Sequence, residues 1–510
     1  MIDYKTRIEQ AKSGQIIPMV REIELSCPVE FFARISDYGR AQHCCLLESR
    51  DYLSEAKGNE LTFGTAAPAL YLSGRGDTFE IRALSQTGRR MIRYLAEQRQ
   101  RFAFCRTIDF GSEAITGTIL RNAQKTDEQS RLKSVCQMDV IRAAAFAFEL
   151  ASPPFRVTCG LLGAISYDFI DQFESLPSNQ QDPLGNPDYE LYFADNIFLM
   201  DHNQGKGYLV VNAIITNGDR QAIYEESMER FDQYMHQIQT ERPQARPCEG
   251  PLPPADTDTS QAEYESMVRT AKQHITDGNL FQIVLSRTLP EPCPAEPLDV
   301  YRRLRTLNPS PYMFYLHTEN THLIGASPEL NLRVSGKKDR IVQIRPIAGT
   351  KPRGWVAGAI DPETDMRYEA ELNLDHKELA EHMMLVDLAR NDIARVSIPG
   401  SRLVNEMLTV ERYESVMHLV SNVRGKLRPD LDALSAYLAT MNMGTLTGAP
   451  KIEAMKIIRL LEKNKRGYYG GGGVYLNVDG PVVSCITTAS FTNMTLPTGD
   501  LRWCSWRWPL

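Results

Sequence analysis

Glu378 and Glu381 lie three residues apart in HKELAEHMMLVDLARND (376–392). On a helix that spacing puts both carboxylates on neighbouring positions of one face. Mg2+ is a hard ion that takes carboxylate oxygens and keeps several waters, so the pair suits it. Beside Lys377 the pair equally suits a solvated helix face. Arg345-Pro-Ile-Ala-Gly349-Thr350, followed by Lys351 and Arg353, could hold a carboxylate through backbone N–H groups and charge. Basic loops are also commonly just solvated. His418 stands among apolar neighbours in VMHLVS (416–421). It reads either as a satisfied core histidine or as a general base beside a substrate. Thr445 and Gly448 in GTLTGAPK (444–451) suit a helix N-terminus, which attracts anions. The spacing is not that of a nucleotide-binding P-loop. Tyr469 and Gly470 open a run of four glycines that would let backbone approach a ligand or would make a simple turn.

These residues need elements to position them. Tyr264, Met267, Val268, Ala271 and Ile275 recur at helical spacing, with Gly278 as the stop. Phe281 to Leu289 alternates as a strand would. Residues 373–390 predict a second long helix and residues 219–238 another. Cys45–Ser49, Cys159–Asp168 and the segment around His418 read as strands. GTLTGAPK is expected to start a helix, and Val334-Ser-Gly-Lys a hairpin turn. Helices alternating with hairpins predict an α+β fold with large, mostly antiparallel sheets. Pro243, Pro247, Pro251, Pro253 and Pro254 mark a stiff linker or long surface loop at 241–261, dividing the chain into residues 1–240 and 262–510.

Bulk properties narrow the function classes. The chain has 510 residues, 42% apolar and 24% charged, with a net charge of −7. That is ordinary for a soluble globular protein and argues against a nucleic-acid binder. No stretch approaches the ~20 apolar residues that span a bilayer. The N-terminal MIDYKTRIEQAKSG has no apolar core and does not read as a signal peptide. Ten cysteines without paired spacing read as free thiols in a reducing cytoplasm.

Taken together and in order, FQIVLSR (281–287), NPSPYMF (308–314), GASPE (325–329), RPIAGT (345–350), HKELAEHMMLVDLARND, VMHLVS, GTLTGAPK and YYGG (468–471) resemble the chorismate-utilising enzymes over residues 260–480. The first half, through LLES (46–49) and GLLGAISYD (160–168), resembles the N-terminal domain of anthranilate synthase component I. Two positions sort the family. Isochorismate and salicylate synthases resemble one another in a lysine base where this chain has Gln282. The common aminodeoxychorismate synthases carry a nucleophilic lysine where this chain has Ala348, whose methyl cannot attack. Ammonia is left as the nucleophile, the anthranilate synthase pattern.

The resemblance implies a lyase that converts chorismate and ammonia to anthranilate and pyruvate, the first step of tryptophan biosynthesis. Mg2+ would be held by Glu378 and Glu381. His418, Glu329 and Thr445 would be catalytic, and Gly349, Thr350, Tyr469 and Gly470 would contact substrate. Feedback inhibition by tryptophan would use Leu47, Glu48, Ser49, Pro311, Tyr312, Met313, Val474 and Tyr475. A glutamine amidotransferase subunit, anthranilate synthase component II, would supply ammonia, so a cytoplasmic hetero-oligomer is expected.

After about Gly480 the pattern fails. Ala489 stands where the family has an arginine for a chorismate carboxylate, and the expected helix with two further metal-binding glutamates is absent. Residues 481–510 carry only Asp500, Arg502 and Arg507 as charges, and Trp503, Trp506 and Trp508 crowd the last eight positions. A frameshift accounts for such a tail, and a genuinely different tail would predict little or no catalysis. The alternatives are an aminodeoxychorismate synthase-like enzyme or a catalytically impaired subunit that binds tryptophan or the partner.

Overall fold

The computed structural model describes residues 3–49, 61–121, 127–179, 181–240, 243–246, 257–413, 415–487, 491–495 and 500–504. Pro247, Pro251, Pro253, Pro254, Ala489, Trp506 and Trp508 lie outside the described residues. Two large sheets, of 11 and 13 strands, form the scaffold. Every pairing between their strands is antiparallel except Gln15–Ile23 with Glu149–Leu150. Strands from both sides of the proline-rich stretch share each sheet. Cys45–Glu48 pairs with Tyr312–His317, and Gly160–Ile165 with Gly472–Asn477. Gly160–Ile165, Tyr189–Ala194 and Gly472–Asn477 are buried along their whole lengths and mostly apolar, with the polar exceptions Glu190 and Asn477 hydrogen-bonded to Tyr71 and to the Arg156 carbonyl.

The helices Arg220–Gln239 and Gln261–Thr276 form where the periodicity places them. The second opens with a capping box between Ser260 and Glu263. The hairpin at Val334 is formed by Leu330–Ser335 and Ile341–Ile344. Two local expectations are corrected and a third is narrowed. The helix expected over 373–390 is two, Pro362–Leu374 and His376–Val396. Asp375 separates them, its side chain accepting from the N–H groups of Lys377 and Glu378. Residues 281–289 do not make one strand. Gln282–Ile283 pairs with Gly448–Ala449, Leu289 begins a separate strand with Pro292 as its last residue, and Phe281 is 77% exposed. Beyond Ile283 the backbone is satisfied individually: Val284 N–H by the Thr447 carbonyl, and Ser286 N–H by the Glu462 carboxylate. GTLTGAPK leads into a helix only at its last residue. It is a 3₁₀ turn, Gly444–Leu446, then the two-residue strand, and the helix begins only at Lys451.

Past Gly480, Val482–Ile486 continues the larger sheet. Phe491–Thr495 then pairs with Thr321–Ser327, and Asp500–Cys504 with Leu289–Pro292. Cys27, Cys44, Cys45, Cys105, Cys136, Cys159, Cys293 and Cys485 are free thiols. Among the described residues no helix is long and apolar enough to cross a membrane.

One consequence concerns acid. His317 and His322 are buried and stacked, with ring centroids 3.8 Å apart. Burial, reinforced by His43, pushes His317 down to about 4, and burial also holds His322 well below the usual range. The unfolded chain takes up these protons near 6.5, and the fold resists until far lower. Their contribution is therefore complete above pH 6.5 and lost as pH falls toward 4. For His317 this is about 3 kcal/mol. Urea midpoints at pH 7.5 and 5 should differ markedly, and His317→Asn should narrow the gap. Equal midpoints in the parent protein would remove this explanation.

Candidate active site

The helix His376–Val396 is anchored by a buried histidine. His382 reaches the Ala348 carbonyl through Nδ1 at 3.1 Å and the Ser421 hydroxyl through Nε2 at 2.7 Å. Those contacts tie the helix carrying Glu378 and Glu381 to the strands Ile347–Pro352 and Val416–Lys426. The two strands pair antiparallel with a bulge between Ala348 and Thr350. Gly349 occupies it at φ 84°, where an L side chain would be strained and a Cβ would stand 3.1 Å from Leu419.

The bulge faces His418 with two groups. The Gly349 carbonyl lies 3.2 Å and the Thr350 hydroxyl 2.9 Å from Nδ1. A carbonyl only accepts, so Nδ1 carries the proton and Nε2 keeps its lone pair. Burial lowers the His418 pKa, with the Gly349 carbonyl opposing, so the ring is neutral at pH 7. Tyr413 sets it edge-on at 5.4 Å.

Glu329 follows the strand Thr321–Ser327 and is 3% exposed. Burial pushes its carboxyl up to about 8, with the Thr445 hydroxyl and the Ile347 N–H pulling weakly the other way. It is therefore a neutral acid at pH 7. Its Oε1 and the Thr445 Oγ1 lie close enough to influence each other but form no hydrogen bond of normal geometry, and no other described residue satisfies either atom. Buried polar atoms without well-formed hydrogen bonds are costly, and here two occur side by side. Thr445 is held by the Gly444–Leu446 turn, whose first residue packs on Leu388 of the long helix.

Glu378 and Glu381 are half-buried. Gln282 donates from Nε2 to Glu381 Oε1 at 2.9 Å, and Lys377 Nζ lies 3.8 Å from Glu378. Among the described residues no three His, Cys, Asp or Glu side chains are grouped to hold a metal. The two carboxylates are hard oxygen donors of the kind Mg2+ takes, so they would suit that ion if other oxygens completed the site. Tyr469 is buried, and Gly470 turns the chain at φ 76°, its N–H donating to the Thr487 carbonyl at 3.0 Å. A Cβ there would stand 2.9 Å from the Tyr167 ring.

The residues of the second expected site divide between two packing clusters: Leu47, Tyr312, Val474 and Tyr475 pack in one, and Met313 in the other. Glu48 pairs with Met313 and Leu47 with Phe314 across two strands, and Ser49 donates to the Leu61 carbonyl. Val474 and Tyr475 are buried, and Tyr475 meets Phe63, the cross-strand partner of Leu47, at 5.4 Å. The Glu48 carboxylate is already engaged by the Tyr301 hydroxyl at 2.6 Å and by Arg305 Nε at 2.8 Å. Tyr312 pairs with Ser327, two residues from Glu329, and Pro311 precedes it. The residue reading missed His382, Tyr301, Arg305 and Phe63, all visible only once distant segments meet.

Comparison with known proteins gives this arrangement its class. Residues 92–493 match the family described as chorismate binding enzyme, and the chain belongs to that family. It is 40% identical over 454 residues to anthranilate synthase component 1 of Vibrio cholerae, covering 88% of this chain and 83% of that protein. To the Escherichia coli anthranilate synthase component 1 it is 37% identical over 461 residues, covering 87% and 84%. The crystal structure of anthranilate synthase component I from Streptococcus pneumoniae superposes with TM-score 0.62 at 26% identity, covering 88% of this chain and 87% of that one. The protein is an enzyme acting on chorismate.

Proposed function

We propose that the chain is the large subunit of an anthranilate synthase, a lyase. Ammonia adds at C2 of chorismate as the C4 hydroxyl leaves as water. Loss of the C2 proton and of the enolpyruvyl ether then gives anthranilate and pyruvate. The observation that carries this reading is the neutral, buried Glu329 carboxyl beside a Thr445 hydroxyl that makes no well-formed hydrogen bond, in a site with no lysine at 282 or 348. Glu329 gives its proton to the departing hydroxyl, with Thr445 orienting that oxygen. His418 Nε2, unprotonated and aimed by Gly349 and Thr350, takes the proton from C2. Gly349, Thr350, Tyr469 and Gly470 border the substrate. Glu378 and Glu381 would hold Mg2+, which offsets the ring carboxylate's charge when bound.

Ammonia is supplied by a glutamine amidotransferase subunit in the cytoplasm, and ammonium salt replaces that subunit in vitro. A pyruvate-coupled assay with product chromatography tests the reading: anthranilate and pyruvate should form one to one. An aminodeoxychorismate that keeps its enolpyruvyl group would replace this reading with the aminodeoxychorismate one.

Tryptophan inhibition would use Leu47, Glu48, Ser49, Pro311, Tyr312, Met313, Val474 and Tyr475, of which Leu47, Tyr312, Val474 and Tyr475 share an apolar cluster that suits an indole. Leu47→Ala removes buried apolar surface and should weaken tryptophan binding about tenfold. Unchanged affinity by calorimetry would move the pocket elsewhere. One observation favours an impaired subunit: Ala489 in place of an arginine. Losing a charge partner for a substrate carboxylate costs about 2–5 kcal/mol. Slow turnover with intact tryptophan binding is the expected behaviour of this chain, and Ala489→Arg should raise it.

A further inference from the structure

Glu462 and Arg466 follow the helix Lys451–Leu461 at a spacing that in sequence reads as a surface ion pair. Both are buried, 7% and 6% exposed. Arg466 donates to Glu462 through Nε at 2.8 Å and Nη2 at 2.6 Å, a bidentate pair. Its Nη1 also donates to the Leu446 carbonyl at 2.7 Å, and Nη2 to the Val284 carbonyl at 2.8 Å. Glu462 Oε1 accepts the Ser286 N–H at 2.8 Å. The guanidinium lies 4.7 Å from the Tyr167 ring centroid and 5.7 Å from that of Tyr469.

Each contact leads to a different part of the site. Leu446 adjoins Thr445 in the 3₁₀ turn. Val284 lies two residues from Gln282, which holds Glu381. Tyr469 is one of the expected substrate contacts, and Tyr167 meets the Gly470 turn beside it. Leu446 and Val284 lie outside named strands, so sheet pairing does not fix them. We propose that Arg466, clamped by Glu462, is a positioning residue that holds the Gln282, Thr445 and Tyr469 segments in register around chorismate. The proposal rests on the chorismate reading above.

A lysine keeps the charge but offers one compact ammonium. It cannot span a carboxylate bidentately and reach two carbonyls in the guanidinium plane. Arg466→Lys should therefore fold, weaken chorismate binding at least about tenfold by calorimetry, and raise KM for chorismate while leaving KM for ammonium unchanged. A role confined to packing would instead lower the unfolding midpoint and leave chorismate affinity intact, which overturns the proposal. If Arg466→Lys does not fold, Glu462→Gln decides. It keeps an acceptor for Ser286 and loses the charge that clamps Arg466, so chorismate affinity should fall several-fold, and unchanged affinity overturns the role. A parent chain that binds no chorismate would overturn the functional reading and this role with it, and is distinguished because the parent itself fails.

Discussion

Glu329→Gln should lower kcat by about 10²–10⁴-fold, the usual range for losing a general acid. The amide nearly matches the carboxylic acid in shape and can still hydrogen-bond, so chorismate affinity should change little. The pH profile adds a second reading. Burial raises this carboxyl to about 8 in the fold, so the protonated form is abundant at pH 7 and disappears as pH rises through that value. In the parent enzyme kcat should fall above about pH 8, and in Glu329→Gln that alkaline limb should vanish. The same shift has a stability cost. The unfolded carboxyl has already lost its proton near 4.5, so the fold is penalised between that pH and about 8 less than a charged Glu329 would penalise it, and the penalty grows with pH until the folded group ionises. A variant that keeps parental kcat would remove Glu329 from the chemistry.

Replacing Glu381 or Glu378 by alanine should have the next largest effect. Each variant removes one of two half-buried carboxylates on adjacent turns of His376–Val396. Chorismate binding in the parent should tighten with Mg2+, and in Glu378→Ala and Glu381→Ala that dependence should be lost, with turnover reduced at least about 100-fold. The two substitutions differ in one respect. Glu381 is also the acceptor for Gln282, so Glu381→Ala frees that amide as well as removing a donor oxygen. Circular dichroism should show both folded, because the helix is pinned by His382 and by its apolar face rather than by either glutamate. Chorismate binding with identical Mg2+ dependence in all three proteins would take the metal away from this helix.

Much of the fold was legible because long periodic segments carry their own signal. The helix Gln261–Thr276 follows from spacing, and the helix Arg220–Gln239 and the strand Val416–Lys426 overlap the segments read as a helix over 219–238 and as a strand around His418. The segments around 281–289 and 443–451 were not legible. The two segments satisfy each other or a distant side chain, with Thr447 accepting from Val284 and Glu462 from Ser286, and no local period encodes that. The site divides in the same way. Glu378 and Glu381 were found by helical spacing, and Glu329 and Thr445 by resemblance of the motifs. That Glu329 is neutral depends on burial, which a sequence window does not contain. Glu462 and Arg466 look like an exposed i, i+4 pair until three distant segments close over them.

The most direct measurement is anthranilate fluorescence from the purified 510-residue chain with chorismate, Mg2+ and a high concentration of ammonium salt, without a partner subunit. The expected result is a slow rise in anthranilate emission that requires both ammonium and Mg2+, and that becomes faster in Ala489→Arg. A folded chain that leaves chorismate untouched and unbound, with or without that arginine, would contradict the assignment.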